Sequence, residues 1–233
     1  MRRIPILTYH NIGEPSPGDR LPLLYVSPRR FAQQMRLLSL LGFRGLSLSA
    51  ALPYLKGERR GRIVVLTFDD GYVDIVEQAL PVLTAHGFTA TCYLVSRCLD
   101  QYNLWDAERL GVRKPVMDRA QVREWLAAGM EVGGHTRTHP YLTRCSTETM
   151  WEEVAGCKQD LEREFGVEVL HFCYPYGDWD PRVEDTARQA GFRTAVTTRR
   201  AHATREDDLW QLPRVSIKYG YGLAHFLYRF LRA

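Results

Sequence analysis

Two short stretches carry the residue types that could do chemistry. In Thr67-Phe68-Asp69-Asp70-Gly71 two carboxylates stand side by side, and in His135-Thr136-Arg137-Thr138-His139-Pro140 two imidazoles stand four residues apart. Histidines at that spacing can bind one metal ion from a helical turn or a tight loop. With one aspartate added, the set leaves a coordination position open for water. Taken alone, Asp-Asp-Gly also reads as an ordinary turn with capping acids, because Asp and Gly are common turn formers. The two motifs together are far more specific than either.

The elements that would position these groups are strands. Ile63-Val64-Val65-Leu66 is a continuous β-branched and aliphatic run, which suits a strand buried on both faces of a parallel sheet. Its acids then lie at the C-terminal tip, where parallel sheets and barrels keep their chemistry. Successive residues of an extended strand point to opposite sides, so Asp69 and Asp70 are expected to do different jobs. Glu131-Val132 reads as another short strand, breaking at Gly133-Gly134 just before the histidine motif.

These motifs, in this order, resemble the first and second motifs of the polysaccharide deacetylases, the NodB-homology carbohydrate esterases. The resemblance spans about residues 4 to 217. It implies a distorted (β/α)7-type barrel in which a divalent metal helps remove acetyl groups from sugars. Carried over residue by residue, it makes Asp70, His135 and His139 the metal ligands and Asp69 the general base. Zinc suits two imidazoles and a carboxylate, with cobalt, nickel and manganese as alternatives. The implied substrate is a carbohydrate carrying an N-acetylated amino sugar. A metal-dependent amidohydrolase, deformylase-like and acting on a non-polysaccharide C–N bond, would use the same metal set.

The remaining roles follow the same resemblance less directly. Tyr9-His10 ends the first strand and is similar to the Tyr-His strand that opens the poly-N-acetylglucosamine deacetylases, so His10 is the candidate general acid; His202 and His225 are its rivals. His171-Phe172-Cys173-Tyr174-Pro175-Tyr176-Gly177 resembles the Arg-Pro-Pro-Tyr-Gly strand end of the family. Cys173, however, stands where most members have the arginine that orients the base. Tyr176 is implied to offer its backbone N–H to the oxyanion, and Arg214 is the candidate substitute for the missing arginine.

Composition agrees with one catalytic domain over residues 1–233, with a core at about 4–217 and an amphipathic tail at 218–233. The chain is 45% hydrophobic with a formal charge of +4, and all but four of its 31 basic residues are arginine. No basic stripe or stacking motif points to nucleic acid, and an unbroken metal triad argues against a carbohydrate-binding pseudoenzyme. Five cysteines without CxxC spacing suggest reduced thiols, and Met1-Arg2-Arg3 leads straight into an apolar strand, so a cytoplasmic setting is expected. The tail Leu223 to Arg232 is aromatic and basic at helical spacing. Docking against the barrel is its expected role, with peripheral contact to the inner membrane face as the alternative.

Between these landmarks, Asn11 to Tyr25 reads as a loop over the barrel mouth, and Ser27-Pro28 as the start of a packing helix. Residues 73 to 86 read as an amphipathic helix, Ser96 to Met117 as a substrate-side insertion, Ser146 to Phe165 as a helix whose charges face solvent, and Asp185 to Gly191 as another helix.

Overall fold

The computed structural model describes residues 3–232, apart from the side chain of Glu108; Met1, Arg2 and Ala233, the outermost residues of the expected span, lie outside them. In chain order the elements are β1 (Ile6–Tyr9), β2 (Asn11–Ile12), β3 (Tyr25–Val26), α1 (Pro28–Leu40), β4 (Arg44–Leu46), α2 (Leu48–Leu55) and β5 (Ile63–Phe68). There follow a wide turn Ile75–Ala79 leading into α3 (Leu80–Ala85), then β6 (Thr91–Leu94), α4 (Leu104–Leu110), α5 (Arg119–Ala127) and β7 (Glu131–Gly134). The chain finishes with α6 (Thr147–Phe165), β8 (His171–Cys173), α7 (Pro181–Gln189), β9 (Thr194–Val196), β10 (Val215–Ser216) and α8 (Leu223–Arg232).

Strands run parallel in the order β10-β1-β5-β6-β7-β8-β9. Between β9 and the stretch before β10, Leu212 N–H donates to Ala195 O at 3.1 Å and Thr197 N–H to Leu212 O at 2.9 Å, which closes the curl into a ring. The distortion has a visible cause. β4 pairs with β5 at Ile63 to Val65, and β6 takes over the same edge at Thr67 and Phe68, so an extra strand is wedged into the base of the barrel.

All six residues of β5 are buried, as its unbroken apolar run demands. The two-residue period divides them: Val64, Leu66 and Phe68 pack outward against the helices, whereas Ile63 and Val65 join Ile6, Tyr93, Cys173 and Val196 in a separate inner cluster. Thr67 and Asp69 continue the inner row. Asp69 therefore stands at the top of the filled lumen. Gly133 and Gly134 do not break β7 as expected; both belong to it, and a Cβ on Gly133 would stand 2.5 Å from the Tyr93 ring. Glycine is required there for close approach.

Helix starts follow their caps. Ser27 accepts from Arg30 N–H with Pro28 in the first turn, and Asp118 forms a full capping box with Gln121. Ser146 accepts from Thr149 N–H, but a threonine rather than a glutamate stands at that third position, so only half of the box forms. Asp180 caps α7, whose Pro181 lies in the first turn; the helix thus begins four residues before the expected Asp185. The helix over 73 to 85 is interrupted by the wide π turn, which precedes Pro81; a proline cannot donate to the preceding turn and its ring crowds that turn's carbonyl. No described helix is long and apolar enough to cross a membrane. Helix α8 docks on the body through buried Phe226 and Phe230.

Candidate active site

The tip of β5 makes the first half of the site. Asp69 N–H still donates to Tyr9 O at 3.0 Å, keeping its side chain in the inner row. At Asp70 and Gly71 the backbone turns left-handed, with φ of 72° and 70°. This turn sends the Asp70 carboxylate to a different set of partners from Asp69, as strand alternation foretold. Gly71 could not be replaced without strain, because an added Cβ would lie 2.6 Å from Leu94. The turn is held by Lys114–Met117 of the 96–117 segment: Met117 N–H donates to Gly71 O at 2.8 Å and Val73 N–H to Pro115 O at 3.1 Å.

The histidine loop makes the second half. Thr136 and His139 also adopt positive φ, and Thr136 Oγ1 accepts from His139 N–H at 2.9 Å. Beneath the loop, buried Glu153 of α6 accepts from the N–H groups of Arg137 and Thr138 at 2.9 Å each and from Thr138 Oγ1 at 2.7 Å. Asp160, one heptad further along α6, takes the Arg137 guanidinium. The expectation that the charges of this helix only face solvent is wrong at both positions. Their helical spacing with buried Met150, Val154, Cys157 and Leu161 was the available signal.

The two halves bring three donor atoms together. Nε2 of His135 and Nε2 of His139 lie 3.2 Å apart, and Asp70 Oδ1 is 3.4 and 3.5 Å from them. A four-coordinate ion with bonds of about 2.0–2.1 Å spaces its ligands about 3.4 Å apart, so the triangle fits a zinc-sized cation. The donor chemistry fits as well. His135 Nδ1 faces the Cys173 carbonyl at 2.7 Å, an oxygen that can only accept, so Nδ1 carries a proton and, in the neutral ring, Nε2 is the nitrogen free to bind a cation. Burial pushes His139 down to about 3, which keeps it neutral. Burial alone would raise Asp70, but the hydrogen bond from His135 helps hold it below the ordinary carboxylate range.

Asp69, His135 and Cys173 also converge, yet they cannot serve a cation. Arg214 occupies that space: its Nη1 and Nη2 donate to the two Asp69 oxygens at 2.7 and 2.8 Å, Nη2 also meets Cys173 Sγ at 3.2 Å, and Nε donates to Thr197 O at 3.0 Å. Burial works to raise the Asp69 carboxyl; the guanidinium, with His10 and His135 beyond it, overcomes this and holds Asp69 below its usual value. Arg214 thus stands against Asp69, where it was expected, and Cys173 lines the same contact.

His10 Nε2 stands 3.8 Å from Asp69 Oδ2. Its neighbour Asn11 bridges Asp74 (3.0 Å) and the buried Lys114 (3.1 Å), which fixes the end of β1. The rival histidines are elsewhere: His225 stacks on Tyr221 at 4.0 Å on α8, and His202 lies beside the Ile4–Ala203 bridge at the base. Neither lines the cleft.

That cleft, of about 450 Å³, lies within the range of small-ligand sites. Tyr176, at φ 60°, forms part of its wall, edge-on to His139 and stacked on Tyr141 at 4.1 Å. The 96–117 segment supplies Trp105, whose ring stacks on His139 at 4.7 Å, together with Asp106 and Arg109; the mouth loop supplies Leu21, Leu23 and Leu24. Both segments therefore border the cleft. Trp105 had no periodic context to reveal it.

Residues 56–195 match the model of the polysaccharide deacetylase family, and the chain belongs to that family. It is 26% identical over 220 residues to a putative polysaccharide deacetylase of Bacillus subtilis, covering 94% of this chain and 72% of that one. A chitooligosaccharide deacetylase of Bradyrhizobium is 32% identical over 139 residues, 56% of this chain and 53% of the relative. Among solved structures, the Streptococcus pyogenes deacetylase PplD in complex with acetate superposes with a TM-score of 0.85 at 25% identity over 98% of both chains. IcaB from Ammonifex degensii gives 0.80 at 26% identity over 92% and 91%. The distorted parallel barrel is the family's fold.

Proposed function

We propose that the protein is a metal-dependent N-deacetylase that hydrolyses the acetamido group of an amino sugar in a glycan or glycan precursor and releases acetate. The observation that carries this reading is the pairing of two different carboxylates: Asp70 in a triangle of lone-pair donors, and Asp69 clamped by Arg214 beside it. Asp70, His135 and His139 would hold the divalent ion, zinc by donor type and spacing. When bound, such an ion lowers the pKa of water and polarises an acyl oxygen, which lets a carboxylate serve as base.

The chain's own residues divide the rest of the work. Asp69 is ionised and held in one orientation by the two Arg214 bonds, so it is placed to take a proton from the attacking water. The Tyr176 backbone N–H is assigned to the developing oxyanion. His10, half-exposed beside Asp69, delivers the proton to the departing amine. The aromatic wall of Trp105 and Tyr176 excludes water and offers ring faces to a sugar. A cytoplasmic site of action belongs to the same proposal and is supported by five unpaired thiols, four of them buried.

The test is acetate release from a panel of N-acetylhexosamine oligosaccharides by zinc- or cobalt-loaded protein, beside Asp69→Asn and His135→Ala. Metal-dependent release that both variants lose is expected. Stoichiometric metal with no release from any sugar would overturn the sugar assignment and bring forward another C–N bond.

A further inference from the structure

Charge is unevenly divided along this chain. Residues 21–57 and 209–233 contain no aspartate or glutamate, yet they carry nine of the 31 basic residues; the remainder holds 22 basic against 27 acidic. Exposed apolar groups follow the same division. Of the nine large hydrophobic side chains that stand exposed among the described residues, seven fall in these two stretches.

Parts of the two stretches meet in space, although Arg214 is buried on Asp69 and α2 packs with the inner cluster. α1 and α8 pack together, and Phe43 just beyond α1 meets Phe230 of α8 edge-on at 4.9 Å. Near the cleft, Tyr219 N–H donates to Leu23 O at 3.4 Å. On α8 the body covers Phe226 and Phe230, but the adjoining row of Leu223, Leu227 and Leu231 is only partly covered, with Leu231 at 59% exposure and Tyr228 at 57%. The apolar arc of the helix is wider than its seat. Arg232 follows on α8, and on α1 exposed Arg36 shares a face with exposed Leu40, one turn apart.

We infer that the α1–α8 face is a docking surface for an anionic lipid bilayer. An apolar strip flanked by arginines places leucine and tyrosine at the boundary of headgroup and acyl chain, and guanidinium groups at the phosphates. A nucleic acid would meet the arginines but leave the leucines in water. A second copy of this chain on a two-fold axis would bring the same cations against each other. The cleft rim at Leu23 and Lys218 adjoins this face, so docking holds the mouth at headgroup level. The inference does not depend on the reaction catalysed.

The test is co-sedimentation of the full chain with phosphatidylcholine vesicles, with and without phosphatidylglycerol, at low and high salt. Binding that requires phosphatidylglycerol and weakens with salt is expected. Arg36→Glu/Arg232→Glu and Tyr228→Ser/Leu231→Ser should each reduce partitioning roughly tenfold or more, with circular dichroism and turnover of a soluble substrate unchanged. Three outcomes overturn it: no phosphatidylglycerol-dependent binding, binding that both variants retain in full, or a lipid-free dimer that the Tyr228→Ser/Leu231→Ser variant dissociates.

Discussion

The two ends of the barrel hold the same kinds of residue and use them in opposite ways. At the base, His171 is enclosed: its Nδ1 lies 2.8 Å from Thr194 Oγ1, its Nε2 2.7 Å from Ser49 Oγ and 3.4 Å from Glu131. Glu131 in turn accepts from Thr91 at 2.6 Å and from Ser49 N–H at 3.2 Å. Every member has a protein partner. At the top, His135, His139 and Asp70 turn two Nε2 atoms and Oδ1 toward one another at 3.2–3.5 Å. Buried polar groups left so are unfavourable unless something else satisfies them. The difference teaches that a histidine beside an acid is not a site; converging unsatisfied acceptors are. Backbone geometry draws the same line, since among the described residues four of the five non-glycine residues with positive φ (Asp70, Thr136, His139 and Tyr176) are at the top.

Substitutions should separate the two ends sharply. Asp70→Asn at the top should abolish metal retention and lower turnover by roughly a thousandfold or more, with thermal unfolding of the metal-free protein little changed; metal analysis and acetate release read both. Arg214→Met would leave Asp69 buried without its partner and should destabilise by about 3–5 kcal/mol. Asp69→Asn/Arg214→Met should regain much of that in urea unfolding while remaining inactive.

At the base the pattern reverses. Burial opposes charge on Glu131, but His171, Ser49 and Thr91 hold it down to about 2 from 4.5. A depressed carboxyl stabilises the fold fully above its unfolded pKa of about 4.5 and loses that contribution as pH falls toward 2; the shift corresponds to about 3 kcal/mol. Glu131→Gln should therefore unfold more easily at neutral pH and show a shallower stability loss between pH 4.5 and 2, with turnover of the folded enzyme unaffected. The smallest effect belongs between the ends. Glu153→Gln should weaken metal affinity about 10- to 100-fold by loosening the histidine loop, measurable by competition with a chelator; an affinity equal to that of the unaltered chain would mean the loop is held without it.

The convergence of Asp70 with His135 and His139 was legible because each half of the triangle is contiguous in sequence and sits at a strand tip. Arg214 was legible only as a substitution for a missing group. What fixes it is register: Val215 pairs with Leu7, so Arg214 and Ser216 face the lumen. Strand pairing across the closing seam is not visible in a single chain. Glu153 and Trp105 were missed for a related reason, since both act on residues in other elements and neither carries a local motif. The wedge of β4 under β6 was likewise hidden, because a three-residue strand leaves almost no periodic signal.

The closing seam also sets when the molecule becomes competent. Asp69 and Arg214 are 145 residues apart, a separation that takes a ribosome roughly 7–30 s to cover. Until residue 214 emerges, a nascent chain carries Asp69 without the guanidinium that holds it. The orientation of that carboxylate therefore waits on closure of the seam, long after the strand that bears it has been made.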